Sequence, residues 1–218
     1  MKRYLIAGSD TAVGKTWVTC RLLEALRAAG AKASGFKPIA CGDRTDAVAL
    51  LAAADEKELT IDAINPWFFN TPASPYTAAV IEGRRADMGA IDAALERVCA
   101  LRDPVLIETA GGLMSPVSEL DTMRDLAIRW SCPVIIVVPN RLGALTQALA
   151  NAECARAAGI DLAAIVLNDL PEPPGPERFL NLEGLRQSNF AVLDERHPKK
   201  TFRSNLDSLN GLARLLRR

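Results

Sequence analysis

The chain runs from a short apolar segment, Tyr4-Leu5-Ile6-Ala7, through Gly8-Ser9-Asp10-Thr11-Ala12-Val13-Gly14 into Lys15-Thr16, and from there into a helical pattern. A glycine-bounded bend between a strand and a helix that opens on Lys-Thr is the context a phosphate-binding loop requires. Its backbone N–H groups can turn toward phosphate oxygens, and the helix N-terminus adds a favourable dipole. Asp10, Thr11, Ala12, Val13, Gly14, Lys15 and Thr16 are therefore the expected ATP-binding segment. Lys15 is placed to reach the β- and γ-phosphates, and the Thr16 hydroxyl to ligate Mg²⁺. Gly8 lies one residue early for the common spacing, where Ser9 stands.

A loop of this kind implies a particular scaffold. Tyr4–Ala7, Val105–Ile107, Pro133–Val138 and Leu162–Leu167 are brief runs rich in Val, Ile and Leu, as strands covered on both faces should be. Between them lie helical faces. Val18, Leu22, Ala25, Leu26 and Ala29 precede a stop at Gly30, Ile91, Leu95 and Val98 form a second face, and Leu145, Leu149 and Ala152 a third that ends near Gly159. Strand–helix alternation predicts an α/β fold of the P-loop NTPase type, with a mainly parallel central sheet flanked by helices. The Pro-rich stretches Asn65–Pro75 and Pro171–Pro176 read as ordered loops or helix mouths, with no shift in composition around them. One domain over residues 1–218 is expected. Toward the C-terminus, Val192 is a candidate strand end and Leu206–Leu216 a candidate helix.

Composition narrows the function. Lys plus Arg number 26 and Asp plus Glu number 26, a balance that argues against a nucleic-acid binder. Five cysteines without a C-x-x-C pair and a single histidine, His197 in a polar segment, argue against a zinc site or a disulfide framework. The chain has no apolar run of membrane-spanning length and no signal-peptide pattern, so a cytoplasmic protein with no membrane partner is expected.

Several side chains outside the loop belong to the same sheet edge. Lys37 in Gly35-Phe36-Lys37-Pro38 is held extended by the proline that follows, and can aim at the phosphates opposite Lys15. Asp46 opens the helical run Thr45–Leu51, either to complement the helix dipole or to serve Mg²⁺. Glu108 follows the strand Val105–Ile107 beside a Gly-Gly turn. A carboxylate leaving a buried strand is costly unless paired or metal-bound, which makes Glu108 a metal candidate with Thr16 and Asp46. Asn168, at the end of the last strong strand, has the donor–acceptor pair that suits an adenine edge.

In order and spacing these pieces resemble the dethiobiotin synthetases. The resemblance spans Gly8–Thr16, Gly35–Gly42, Asp46, Asn65–Gly83, Glu108–Gly112, Leu142-Gly143 and Asn168-Asp169, and fades after Pro176. It implies that CO₂ adds to an amine of 7,8-diaminopelargonate, that ATP phosphorylates the resulting carbamate, and that the second amine displaces phosphate to close a ureido ring. It assigns catalysis to Lys37 and Lys15, and the diamino acid site to Thr11, Lys37, Cys41 and Gly111. It further implies a homodimer in which the helix start Leu142-Gly143-Ala144-Leu145 of a second copy receives the substrate carboxylate. The sequence departs from the family pattern at Ala12, usually acidic, at Cys41, usually Ser, and at Thr109, usually Gly. Two other readings keep the loop: a paralogue activating a different carboxylate, as the cobyrinate amidating synthetases do, and a switch ATPase of the partitioning or Min type.

Overall fold

The computed structural model describes residues 2–171, 175–187, 201–203 and 206–217. Among these, six strands form one parallel sheet: β1 (Arg3–Gly8), β2 (Ser34–Phe36), β5 (Val105–Gly112), β6 (Val134–Pro139), β7 (Leu162–Asn168) and β8 (Thr201–Arg203). Their order across the sheet is β2-β5-β1-β6-β7-β8. β1 lies in the middle, with β5 on one side and β6 on the other. After β1 the chain goes to the β2 side, and after β5 it crosses back to β6. Such a reversal opens a crevice at the carboxyl ends of the strands, where ligands bind in open α/β sheets.

Helices alternate with the strands as the periodicity predicts. The helix after the loop, α1 (Lys15–Ala28), buries Val18, Leu22 and Leu26. It packs against α2 (Thr45–Ala53) and α9 (Leu206–Leu216). The second expected face lies in α5 (Met88–Leu101), capped by Asp87, and the third in α7 (Ala144–Ala157). α6 (Met123–Arg129) begins with a capping box in which Thr122 and Asp125 satisfy each other's backbone ends. α8 (Glu177–Gln187) and β8 follow β7. Leu5, Ile6, Ile107, Ile136, Val137 and Ile165 are buried at the centre of the sheet, and all six side chains are apolar. Full burial of each such side chain contributes about 1.5–3 kcal/mol to the favourable side of folding.

Two differences from expectation matter for the site. β5 runs on through Gly112, so Glu108 lies within the strand and does not follow it. Pairing with β1 extends as far as Gly8 against Gly112, after an irregularity beyond Ile6. A Cβ on Gly112 would stand 2.7 Å from the Gly8 carbonyl oxygen, so only glycine allows this approach. The Pro-rich stretch Asn65–Pro75 is more than loop. It carries β4 (Trp67–Phe69), which pairs in parallel with β3 (Ile39–Cys41) as a separate two-stranded ribbon. Pro75 occupies the first turn of α4 (Pro75–Glu82), capped by Ser74, where a missing N–H costs nothing. A short α3 (Ile61–Ile64), capped by Thr60, precedes β4. Residues 172–174 of the second Pro-rich stretch, Val192 and His197 lie outside the described residues. No helix among the described residues is long and apolar enough to cross a membrane.

Candidate active site

The site is assembled where Gly8 leaves the centre of the sheet. Ser9 is fixed by its N–H donating to Val137 O (2.8 Å) and its hydroxyl to Gln147 Oε1 (2.8 Å), which ties the loop to β6 and α7. Asp10 turns its carboxylate back onto the Thr11 N–H. Ala12 adopts a left-handed conformation, φ 57°. Gly14 follows at φ 84° as the N-cap of α1, and a Cβ there would meet Asn168 Nδ2 at 2.1 Å. Asn168 is itself buried and donates from Nδ2 to Val13 O at 2.8 Å, so its amide braces the loop from the end of β7.

Four side chains converge just below the loop. Lys37 is 4% exposed, and its ammonium donates to Asp46 Oδ2 (2.7 Å), Glu108 Oε1 (2.8 Å) and Thr109 O (3.3 Å). The Thr16 hydroxyl lies 2.9 Å from Asp46 Oδ1 and 2.8 Å from Glu108 Oε1, and its one proton serves one of them at a time. Glu108 is wholly buried, and its Oε2 has no hydrogen-bond partner among the described residues. Lys15 is also buried, with Nζ 3.3 Å from Asp10 O. The sequence-predicted Lys15, Thr16, Lys37, Asp46 and Glu108 are thus one cluster.

Electrostatics follow from this geometry. Burial alone would lower the Lys37 pKa, but Glu108 and Asp46 more than offset it and hold the ammonium above its ordinary range. At Lys15 the balance falls the other way: burial, then the charge of Lys37, outweigh the pull of Glu108, Asp46 and Asp10 and push it below the usual lysine value. At Asp46 burial opposes ionisation, yet Lys37 and the Thr16 hydroxyl pull the carboxyl below its ordinary value. Burial drives the Cys41 thiol up to about 11, so it faces the site as a neutral, weak hydrogen-bonding group.

Two carboxylates, one carrying an unpartnered buried oxygen, and a hydroxyl form a set of hard oxygen donors that suits Mg²⁺. The cluster opens into a cleft of about 550 Å³. Thr11, Ala12, Cys41, Gly111 and Ser115 line it together with the two lysines. Leu142, Gly143, Ala144 and Leu145 do not line this cleft in their own chain. Leu142 is 85% exposed and Gly143 caps α7 at φ 91°. A second cleft, about 540 Å³ between α4 and residues 117–120, contains none of the loop residues.

Two residues that carry much of this arrangement have no chemical motif to reveal them. Asn65 is 2% exposed, and donates from Nδ2 to Lys37 O (2.7 Å) and Trp67 O (3.0 Å). Arg44 donates from Nε to Asn65 Oδ1 and from a terminal nitrogen to Asn65 O, both at 2.8 Å. The only sequence signal was an Asn-Pro pair, which ordinarily marks a turn.

A parallel sheet with a glycine-bounded loop at its central strand, a lysine and threonine opening the next helix, and two carboxylates beneath defines a P-loop ATPase. A family model described as an AAA domain matches residues 2–201. The ATP-dependent dethiobiotin synthetase of Akkermansia muciniphila is 38% identical over 172 residues, covering 79% of this chain and 80% of the relative. That of Anaeromyxobacter sp. strain Fw109-5 is 40% identical over 180 residues, with 81% and 80% covered. In Escherichia coli strain K12, ATP-dependent dethiobiotin synthetase BioD 1 is 38% identical over 181 residues, with 80% of each covered. The chain belongs to the dethiobiotin synthetase family. In fold it is also similar to a protein described as a plasmid partition protein from Borrelia burgdorferi B31, bound to AMPPNP. That likeness has a TM-score of 0.56 at 12% identity and covers 98% of this chain and 97% of the other. The cell division ATPase MinD of Pyrococcus furiosus gives 0.53 at 17% identity, covering 99% and 98%.

Proposed function

We propose that the chain, as one ligase domain over residues 1–218, closes the ureido ring of dethiobiotin from 7,8-diaminopelargonate, CO₂ and ATP. The observation that carries this reading is the Lys37 ammonium held between Asp46 and Glu108 at the floor of a cleft that Lys15, Thr11, Cys41 and Gly111 also line. CO₂ and an amine give a carbamate, which is anionic, and its oxygen takes the γ-phosphoryl group as ADP leaves. The second amine then attacks the carbonyl carbon of this carbamic-phosphoric anhydride, and phosphate departs.

Negative charge gathers on the transferring group, so fixed cations are the catalytic need. Lys15 holds the β/γ bridge, and Lys37 holds the carbamate and the γ-phosphoryl oxygens. Thr16, Asp46 and Glu108 would hold Mg²⁺, which supplies charge neutralisation on the phosphates when bound. Asp10 to Thr16 cradle the triphosphate, and the adenine edge falls to Asn168 through the part of its amide not given to Val13 O. Thr11, Cys41 and Gly111 line the diamine. Leu142–Leu145 stand away from their own cleft, which fits their delivery to a second copy in a homodimer, with backbone N–H groups of the α7 start receiving a carboxylate. Cytoplasmic location belongs to the same reading.

The test is incorporation of labelled bicarbonate. Protein with Mg-ATP and 7,8-diaminopelargonate is expected to yield an acid-stable labelled product that requires all three. A second reading has its own support. Ala12 and Thr109 depart from the family pattern, and the fold likeness extends over the whole chain to a partition protein and to MinD. ATP hydrolysis with no label fixed would favour a paralogue acting on another carboxylate, or a switch ATPase, and overturn the ligase.

A further inference from the structure

Lys37 lies at an awkward place in the chain. β2 ends at Phe36, Pro38 follows without an N–H, and at Ile39 the chain enters the separate ribbon of β3 and β4. Among the described residues no strand pairs with the 37–38 peptide, yet Lys37 carries a side chain only 5% exposed whose ammonium must meet two carboxylates. The last residue of α3 and its C-cap, Asn65, supply the missing partners. Ile64 O accepts the Lys37 N–H at 2.7 Å, and Asn65 Nδ2 donates to Lys37 O at 2.7 Å. The same nitrogen gives its other proton to Trp67 O at 3.0 Å.

The acceptor end of Asn65 reaches the other half of the cluster. Its Oδ1 takes the Arg44 Nε–H, and Arg44, anchored also on Asp62 Oδ1 at 2.7 Å, is the residue immediately before α2, whose first turn carries Asp46. One buried amide therefore touches the backbone that sets Lys37 and the guanidinium that sets the start of α2. Two donors and one acceptor on a planar group this short are found only in asparagine. Aspartate offers no donor there, and glutamine is a methylene longer.

We propose that Asn65 is a positioning residue that fixes the Lys37 ammonium against Asp46 and Glu108 without touching any ligand. It does not line the cleft. The proposal rests on the reading of Lys37 as the catalytic cation. Its bonds reach the Lys37 backbone and, through Arg44, the start of α2, and none reaches the phosphate loop, so its effect falls on turnover.

The test is a cycle of Asn65→Ala, Lys37→Ala and the double variant, read by turnover, by Mg-ATP affinity and by urea denaturation. Asn65→Ala is expected to lower kcat at least tenfold with the Mg-ATP dissociation constant within twofold, and to add little once Lys37 is already alanine. In urea, the destabilisation from Lys37→Ala should be smaller in the Asn65→Ala background, a coupling that needs no turnover to be seen. Asn65→Ser, which keeps one short hydrogen-bonding group, carries the same comparison if the alanine variant does not fold. A folded Asn65 variant with unchanged kcat, or effects of the two substitutions that simply add in both readouts, overturns the proposal. Failure of the ligase reading is separate, because it shows in the unaltered protein as ATP use without dethiobiotin, and the cycle is then read on ATP turnover and in urea.

Discussion

The Lys37 ammonium lies 2.8 Å from Oε1 of Glu108, a carboxylate with no exposed surface. Buried ion pairs of this sort add little net stability over an apolar pair, yet breaking one by deleting a single partner costs about 3–5 kcal/mol. Lys37→Ala is expected to lose most turnover, keep nucleotide binding, and lower the thermal midpoint measured without Mg²⁺. Combining it with Glu108→Gln should recover part of that loss. A midpoint unchanged in the single variant would mean that Glu108 does not depend on Lys37 for compensation.

Gly14 and Asn168 face each other across the loop. Gly14→Ala meets both a left-handed backbone and the Asn168 amide at 2.1 Å, so Mg-ATP affinity should collapse in a protein that still folds. Asn168→Ala is milder: it leaves the Val13 carbonyl without its donor, at about 1–3 kcal/mol. Equilibrium nucleotide titration of both variants checks the ranking, and equal losses would contradict it.

Ala12 holds φ 57°, a conformation that costs an L-residue with a Cβ roughly 1–2 kcal/mol. Glycine removes that strain but gives up about 0.5–1 kcal/mol of chain entropy. Ala12→Gly is accordingly expected to be neutral to stabilising by about 1 kcal/mol in urea denaturation. A clear loss of stability would show that the Ala12 methyl packs more than its exposure suggests.

Acid sensitivity has a definable source away from the cleft. The Glu56 carboxylate accepts a fork from Arg102 at 2.7 and 2.8 Å and the N–H groups of Glu58 and Leu59. Burial of the carboxyl works against ionisation, but these donors prevail and lower its pKa from 4.5 to about 2. A depressed carboxyl contributes stability that is complete above its unfolded value and is lost as pH falls through the folded one. Each pH unit between those two values is worth about 1.4 kcal/mol, so about 3 kcal/mol is expected to disappear between about pH 5 and pH 2. The stability difference between native protein and Glu56→Gln, followed by denaturant titration, should shrink across that window. A difference independent of pH would remove Glu56 as the source.

Much of this was legible in the residues. The runs that became β1, β6 and β7 were visible because strands covered on both faces need unbroken apolar sequence, and Lys15 and Thr16 were visible because the loop chemistry admits few substitutes. Lys37 was legible through the proline after it. The β3–β4 ribbon was not: Ile39–Cys41 and Trp67–Phe69 are three residues each, too short to show a period, and the prolines around Trp67 read as loop. Asn65 stayed hidden for a different reason. Its partners, Lys37 and Arg44, are brought to it only when β2, α2 and the ribbon have folded together, and polar residues beside proline are ordinary in turns. Glu108 was recognised, but its place inside β5 depended on the Gly8–Gly112 approach, a tertiary fact.

Helix α9 rests on α1, with Leu209, Leu212, Ala213 and Leu216 buried and its final turn held by Tyr4 and Lys2. The first residue of α1 is Lys15. A polar residue at Leu212 would therefore slacken the support of the very helix whose first turn grips the nucleotide, and binding would weaken from the far end of the sequence, with every residue of the cleft intact.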